Sequence, residues 1–369
     1  MGIRASPLES LAVNRQFWKG KKVLITGHTG FKGSWLSLWL QRLGGEVIGY
    51  ALAPPTQPNL YSLAGIENGM VSITGDVRNL DSLTAVIKEH KPEIVIHMAA
   101  QSLVRHSYEN PVETFATNMM GTVNVLEAIR QVKSVRAAVI VTSDKCYENR
   151  ERTQGYQEYE PMGGHDPYSS SKGCAELATS AYRRAFFSAA GTTAVSVATA
   201  RAGNVIGGGD WAKDRLVPDA IKAFLAGASV EVRNPNAIRP WQHVLDPLHG
   251  YLLLAEHLWE KGQEYADPWN FGPDEQDAKP VSWVVERLHD LWGTKNKWVN
   301  DQKNHPHEAG VLKLDSSKAK ARLGWVPRLN VETSLQWTVE WYKGYEKKND
   351  LRQLTETQIE SFQNLAHVQ

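Results

Sequence analysis

The stretch Lys22-Val-Leu-Ile-Thr-Gly27-His-Thr-Gly30-Phe-Lys-Gly33, continued at 34–43 by Ser-Trp-Leu-Ser-Leu-Trp-Leu-Gln-Arg-Leu, decides the fold. Val23, Leu24 and Ile25 make a short apolar run closed by glycine, the pattern of a strand buried in a parallel sheet. Gly27, Gly30 and Gly33 then punctuate a tight turn. Past it, Phe31, Trp35 and Trp39 recur every four residues beside Leu36, Leu40 and Leu43, which is helical spacing. Strand, glycine turn and helix bring backbone N–H groups and a positive dipole end to one point, where a pyrophosphate can sit. A glycine triplet alone says little; in this context it marks a dinucleotide site.

Further along, apolar runs at 45–51, 71–75, 94–97, 137–142 and 194–199 alternate with helical patterns at 80–90, 111–132 and 166–187. That alternation predicts right-handed crossovers and an α/β fold of Rossmann type, a doubly wound parallel sheet. Beyond about residue 203 it breaks into loops rich in Gly, Asn, Pro and Trp, with helices near 215–226, 246–260, 280–292 and 331–345. The change predicts a smaller mixed α/β C-terminal lobe over the sheet's carboxyl edge. Residues 1–203 with about 241–272 are assigned to the sheet domain, and about 204–240 with 273–369 to the second, substrate-binding lobe. No helix opens directly behind Gly207-Gly208-Gly209, so this run reads as a mobile loop beside the site.

Composition narrows the partners. The 369 residues are 42% hydrophobic, enough for one large or two modest cores, and carry a net charge of +1. Interspersed charges predict no nucleic-acid partner, and no apolar run reaches membrane-spanning length. No charged-then-apolar leader opens the sequence, and its two cysteines, Cys146 and Cys174, suit a reducing cytoplasm.

Tyr168-Ser-Ser-Ser-Lys172 sets a tyrosine and a lysine one above the other on a helix face. A neighbouring ammonium and a cationic nicotinamide ring both favour phenolate, so the tyrosine pKa is expected to fall toward neutrality. Such a phenolate can take a proton from a substrate hydroxyl while hydride leaves the same carbon.

Together these residues resemble the extended short-chain dehydrogenases/reductases, the group that holds the nucleotide-sugar epimerases and 4,6-dehydratases. The glycine turn, Asp76-Val77, Ala99-Ala100, Asn118 and Tyr168 with Lys172 match in order across about residues 20–345. The resemblance implies NAD as cofactor. It would be held by Gly27, Thr29, Gly30, Phe31, Lys32, Gly33, Asp76, Val77, Ala99, Ala100, Tyr168 and Lys172, with Asp76 at the adenine and Asn118 supporting the site.

Directly after the fifth strand comes Val141-Thr-Ser-Asp-Lys-Cys-Tyr147. The resemblance separates dehydratases, with a hydroxyl–Asp–Glu set here, from epimerases, which lack the acidic pair; in this chain Lys145 stands where the Glu stands. Dehydration needs an acid for the departing 6-hydroxyl and a base for the C5 proton. Asp144 can be that acid if its pKa is raised; Lys145, or a water it positions, can be the base where burial near cations deprotonates it. Ser143 is implied to hydrogen-bond the sugar 4-oxygen.

The runs Ser-Asp-Lys-Cys-Tyr, Gly-His-Thr-Gly-Phe-Lys-Gly and Arg239-Pro-Trp-Gln-His-Val244 resemble the dehydratase branch acting on CDP-glucose, whose product serves deoxyhexose and O-antigen lipopolysaccharide synthesis. Substrate contacts are implied at Gln101, Asn204, Arg215, Arg239 and His307, with Trp241 in a plausible site position. The helical patterns at 111–132 and 166–187 resemble the family's dimer interface, with Val125, Leu177 and Phe186 outward, and imply a homodimer or homotetramer.

From the residues alone, NAD against NADP stays open. The acid expected about twenty positions past the glycines is missing, and Gly49-Tyr-Ala-Leu-Ala53 stands there. A weaker hold on NAD is expected, to be tightened by an aspartate at Tyr50. His305, His307 and Glu308 lack a third strong ligand nearby, so no metal is expected. Three rival readings differ in their demands. An epimerase needs no Asp144 or Lys145, a dTDP-glucose or GDP-mannose dehydratase differs in base recognition, and a non-catalytic NAD-binding regulator would tolerate loss of Tyr168.

Overall fold

The computed structural model describes residues 13–188, 195–296, 298–301 and 310–365. In it the apolar runs become β1 (Lys22–Thr26), β2 (Glu46–Ala51), β3 (Val71–Thr74), β4 (Ile94–His97), β5 (Ala137–Val141) and β6 (Ser196–Arg201). A seventh strand, β7 (Pro268–Asn270), returns from late in the chain to pair with β6. The order across the sheet is 3-2-1-4-5-6-7, with every pairing parallel. The strand order reverses between β1 and β4, and ligands of such sheets bind outside the carboxyl ends at that point.

Both faces are covered, as near-continuous apolar strands require. Leu24, Ile48, Val95, Ala138 and Ile140 pack beneath α2 (Leu80–His90), α3 (residues 111–130) and the end of α4 (Pro167–Ala185). Val23, Ile25, Val47, Ile96 and Val139 face α1 (Phe31–Leu43) and, from the second lobe's side, α6 (Leu245–Lys261). The same core runs on without a break into that lobe, through Val217 and Phe224 of α5 (Leu216–Leu225), Val284 of α7 (Val281–Trp292) and Trp341 of α8 (Val331–Glu346).

The aromatic row of α1, three residues spaced four apart, joins three parts of the molecule. Phe31 borders the cleft. The Trp35 indole N–H donates to the Gly208 carbonyl at 2.9 Å. Trp39 meets Phe362 edge-on, ring centroids 5.7 Å apart. Phe362 belongs to α9 (Leu351–Asn364), whose Glu356 and Glu360 also pair with Arg42 at 3.0 and 3.2 Å. Residues 351–364 therefore bridge α1 and the second lobe with which the sequence pattern grouped them, where the Trp341 indole N–H donates to the Thr355 hydroxyl at 2.9 Å. Trp35 and Trp39 are fully buried, each worth up to about 4–6 kcal/mol of transfer free energy.

Two local devices position the site. Gly44, at φ +85°, ends α1 in the left-handed conformation that glycine adopts freely. At α4, Asp166 caps the helix by accepting from the Ser169 N–H at 2.9 Å, and Pro167 occupies the first turn. That start places Tyr168 one residue into the helix. Among the described residues no helix is long and apolar enough to cross a membrane.

Candidate active site

One cleft of about 1030 Å³ opens along the carboxyl ends of the strands. Its wall includes every cofactor, catalytic and substrate residue expected from the sequence except Asn118, which lies one layer behind, and His307, which with His305 and Glu308 falls outside the described residues.

At one end is the glycine turn. Gly27 sits at φ +78°, and a methyl group there would lie 2.7 Å from the Ala99 nitrogen, so this turn and the one after β4 touch. Gly33 packs on the Gly27 carbonyl with no space for a side chain. Gly30 is different: a methyl there would meet protein only at 3.4 Å, in ordinary contact. Its bareness opens the cleft side of the turn, where the first N–H groups of α1 have no intrahelical acceptor. This is a cradle of the right shape for a pyrophosphate.

At the adenosine end, Asp76 is held by the Arg78 guanidinium and backbone N–H, which keep its carboxyl below the ordinary range against the effect of burial. The expectation for Tyr50 is corrected. Its ring points away from the cleft, packs over Gly75, and donates to the Asp76 carbonyl and Ser82 hydroxyl at 3.1 Å each. Residues of one strand alternate between faces, so Ala51–Ala53, not Tyr50, border the cleft.

At the centre, Ser143 accepts from the Lys145 N–H at 3.2 Å and donates to Asp144 Oδ1 at 2.9 Å, which folds 144–146 into a tight turn off β5. Asp144 is almost fully buried, and its Oδ2 has no hydrogen-bond partner among the described residues. A buried unpaired carboxyl oxygen on a cleft wall is ready to meet a substrate hydroxyl. Lys145 is half-buried beside it.

In the chain alone the Tyr168 pKa stands above its ordinary value. Burial pushes it up to about 12, against a hydrogen bond with Ser143 and the Arg215 charge. Lys172 donates to the Val141 carbonyl at 3.4 Å, and burial brings it down to about 8. Lys32 borders the cleft and donates to the Tyr251 hydroxyl at 2.9 Å, and burial, with the charges of Lys172 and Arg215, lowers it to about 7.

On the far wall, Arg215 pairs with Asp210 at 2.8 Å and reaches the Ser102 hydroxyl at 2.8 Å. Arg239 donates to the Ile238 and Gly310 carbonyls at 3.0 and 2.8 Å. Asn204 adopts a left-handed φ of 48°. The Gln101 amide is spent within its own loop, on the Leu103 backbone and the Thr114 hydroxyl. Gly207–Gly209 is closely packed, with Val244, Trp341 and Leu60 against its three glycines.

The sequence reading passed over Gly203, where any side chain would collide with the Asp144 carboxylate, and Trp211, whose buried indole N–H on the cleft wall has no partner among the described residues. It also missed Arg105 and Arg233, which flank Asp214 at 3.0 and 3.6 Å. Only the Asn-rich loop composition hinted at this wall, because Arg105 lies over a hundred positions from the Asp214 it pairs with and Arg233 follows that aspartate only beyond α5.

Comparison with known proteins follows the same lines. Residues 24–338 match the family described as GDP-mannose 4,6 dehydratase. The chain is 52% identical over 352 residues to the CDP-glucose 4,6-dehydratase of Salmonella typhimurium, covering 95% of this chain and 98% of that one. It is 26% identical to the dTDP-glucose 4,6-dehydratase of Xanthomonas campestris over 86% and 92% of the two chains. The solved dTDP-glucose 4,6-dehydratase of Bacillus anthracis, a complex with NAD, superposes with a TM-score of 0.73 at 25% identity, over 89% of this chain and 99% of that one.

Proposed function

We propose a function from one premise: this chain belongs to the GDP-mannose 4,6 dehydratase family, and it acts as a CDP-glucose 4,6-dehydratase, the activity of its 52%-identical relative. It converts CDP-D-glucose to CDP-4-dehydro-6-deoxy-D-glucose and water. NAD, held by the N-terminus of α1, Asp76-Val77 and Ala99-Ala100, supplies when bound the acceptor for the C4 hydride and its donor to C6.

The chain's own residues move the protons. Tyr168, as the phenolate that a bound cationic nicotinamide favours, takes the 4-hydroxyl proton, with Ser143 on the same oxygen. The resulting ketone acidifies C5–H, which Lys145, or a water it positions, removes. Asp144 protonates the departing 6-hydroxyl from its unpaired Oδ2. Hydride from C4 ends on C6 while C5 takes back a proton from Lys145 or its water, so sugar oxidation and reduction cancel. The proton taken by Tyr168 makes good the one Asp144 gave, and the net change is loss of water. Arg215, Arg239 and Asn204 line the wall that receives the nucleoside diphosphate, and guanidinium groups suit its phosphates. The sheet with α6 and β7 forms the cofactor lobe, and the loops around α5 and α7 form the sugar-nucleotide lobe. A cytoplasmic homodimer, with the product passing to deoxyhexose and O-antigen synthesis, completes the reading.

The observation that carries it is Asp144, a residue of the cleft wall that Tyr168 shares, whose buried Oδ2 has no hydrogen-bond partner among the described residues and which an epimerase does not need. The test is separate incubation with CDP-, dTDP-, UDP- and GDP-sugars, with products resolved by mass spectrometry. Loss of one water from CDP-glucose alone is expected. Loss from another nucleotide sugar would discard the base assignment, and altered retention without mass change would make the enzyme an epimerase.

A further inference from the structure

Tyr168, Lys172 and Glu176 lie at i, i+4 and i+8, on one face of α4. Glu176 is buried and does not border the cleft, yet its carboxylate accepts four hydrogen bonds. It accepts from the Thr142 hydroxyl, from the Thr199 hydroxyl at 2.8 Å, and from Arg201 Nε and Nη2 at 2.9 and 2.7 Å. Thr142 immediately precedes Ser143 and Asp144, and Thr199 and Arg201 stand on β6. The network continues outward. Arg201 Nη1 donates to the Tyr147 hydroxyl at 2.6 Å, and Tyr147 donates to Asn270 Oδ1 at 2.8 Å. Asn270 Nδ2 donates in turn to the Tyr156 and Asp315 carbonyls at 2.8 and 3.1 Å.

We infer that Glu176 and Arg201 are positioning residues that hold the helix carrying Tyr168 and Lys172 in register with the turn carrying Ser143, Asp144 and Lys145. The inference rests on the dehydratase reading. The turn is gripped on both sides, by Thr142 before it and Tyr147 after it, and both grips lead to one ion pair. A buried pair with every polar atom satisfied fixes a unique geometry more than it adds stability. The pair also has an electrostatic reach. Burial pushes the Glu176 carboxyl up, but Arg201 and the two threonines prevail and keep it ionised. Its charge, with the Cys146 thiol, opposes the burial that lowers Lys172; Lys32 and His97 are the other titratable groups facing that ammonium from neighbouring elements.

The test compares wild type, Glu176→Gln, Glu176→Asp and Arg201→Lys for thermal midpoint and for the pH dependence of kcat and KM on CDP-glucose. Glu176→Gln keeps the shape and removes the charge. Its kcat is expected to fall ~10–100-fold with KM within about twofold, because groups that carry the chemistry lose alignment while the diphosphate wall is untouched. The alkaline limb of kcat should move down by about one pH unit, since Lys172 loses a charge that favours its ammonium. Glu176→Asp should restore the limb to its wild-type position while kcat recovers only in part. If Glu176→Gln does not fold, Glu176→Asp and Arg201→Lys must still lower kcat with KM unchanged. Loss of activity that follows only the folded fraction, with wild-type kcat and pH profile in the folded enzyme, would overturn the inference. Absence of water loss in the wild type would instead strike the dehydratase reading.

Discussion

Gly203 and Asp144 constrain each other, because a methyl group on Gly203 would occupy the volume of the carboxylate. Gly203→Ala should therefore turn Asp144 away and reproduce Asp144→Asn. Both variants are expected to lose water elimination by ~10²–10⁴-fold. C4 oxidation and exchange of the C5 hydrogen with deuterated solvent should continue, which mass spectrometry of recovered sugar nucleotide reads directly. Full elimination in Asp144→Asn would remove it as the acid. Tyr168 carries a second residue-scale expectation. Burial makes it a phenol in the free chain, so tyrosinate absorbance on alkaline titration should move to lower pH when NAD is added, and Tyr168→Phe should abolish that change. A third concerns stability. Burial raises Asp246 to about 7, against the Arg328 N–H and charge. Its folded pKa lies above the unfolded value of about 4, so the stability it contributes is complete below about pH 4 and lost as pH rises through about 7. Asp246→Asn should flatten the fall in thermal midpoint across that window. Glu256, also raised to about 7 by burial, keeps some slope in the variant.

At the scale of elements, α3 departs most from its sequence pattern. The reading of 111–132 as one helix is right in extent to within two residues, but Ala116–Met120 forms a π turn inside it. One extra residue in a turn leaves no periodic trace, so nothing in the spacing announced it. The turn swings Asn118 toward the site, where Nδ2 donates to the Gln101 carbonyl and Ser171 hydroxyl at 2.9 Å each and Oδ1 accepts from the Gln101 N–H. Asn118→Ala should strand these groups and cost about 1–3 kcal/mol, measured by chemical denaturation. It should also weaken NAD binding through the displaced 99–101 loop, although Asn118 does not border the cleft. Strands were more legible than turns, because β1, β4 and β5 are apolar on both faces and no other element buries such runs so cheaply in length.

At the scale of the whole molecule, the outward face of α3 and α4 is mixed. Val125 is buried against the sheet, contrary to its assignment outward, while Val112 and Leu177 are 81% and 60% exposed and Phe186 is half-buried beside Tyr182. Exposed apolar side chains on two neighbouring helices suit a second copy of the chain. Val112→Glu with Leu177→Glu should convert a dimer to monomer in light scattering without changing the cleft; a wild-type monomer would dispose of the proposal. The amino-acid order by itself determined the doubly wound sheet, the glycine turn and the four-residue spacing of Tyr168 and Lys172, because each rests on local periodicity or spacing; Asp144 and Lys145 were singled out by resemblance to the dehydratases, and their roles are proposals. Only the tertiary structure decided which groups surround them: α9 on α1, Gly203 beneath Asp144, Arg105 across from Asp214, and Glu176 joined to Arg201. Those partners are tens to hundreds of residues apart, and the pKa values they set follow from burial and charge at distances of a few ångströms, which no one-dimensional pattern encodes.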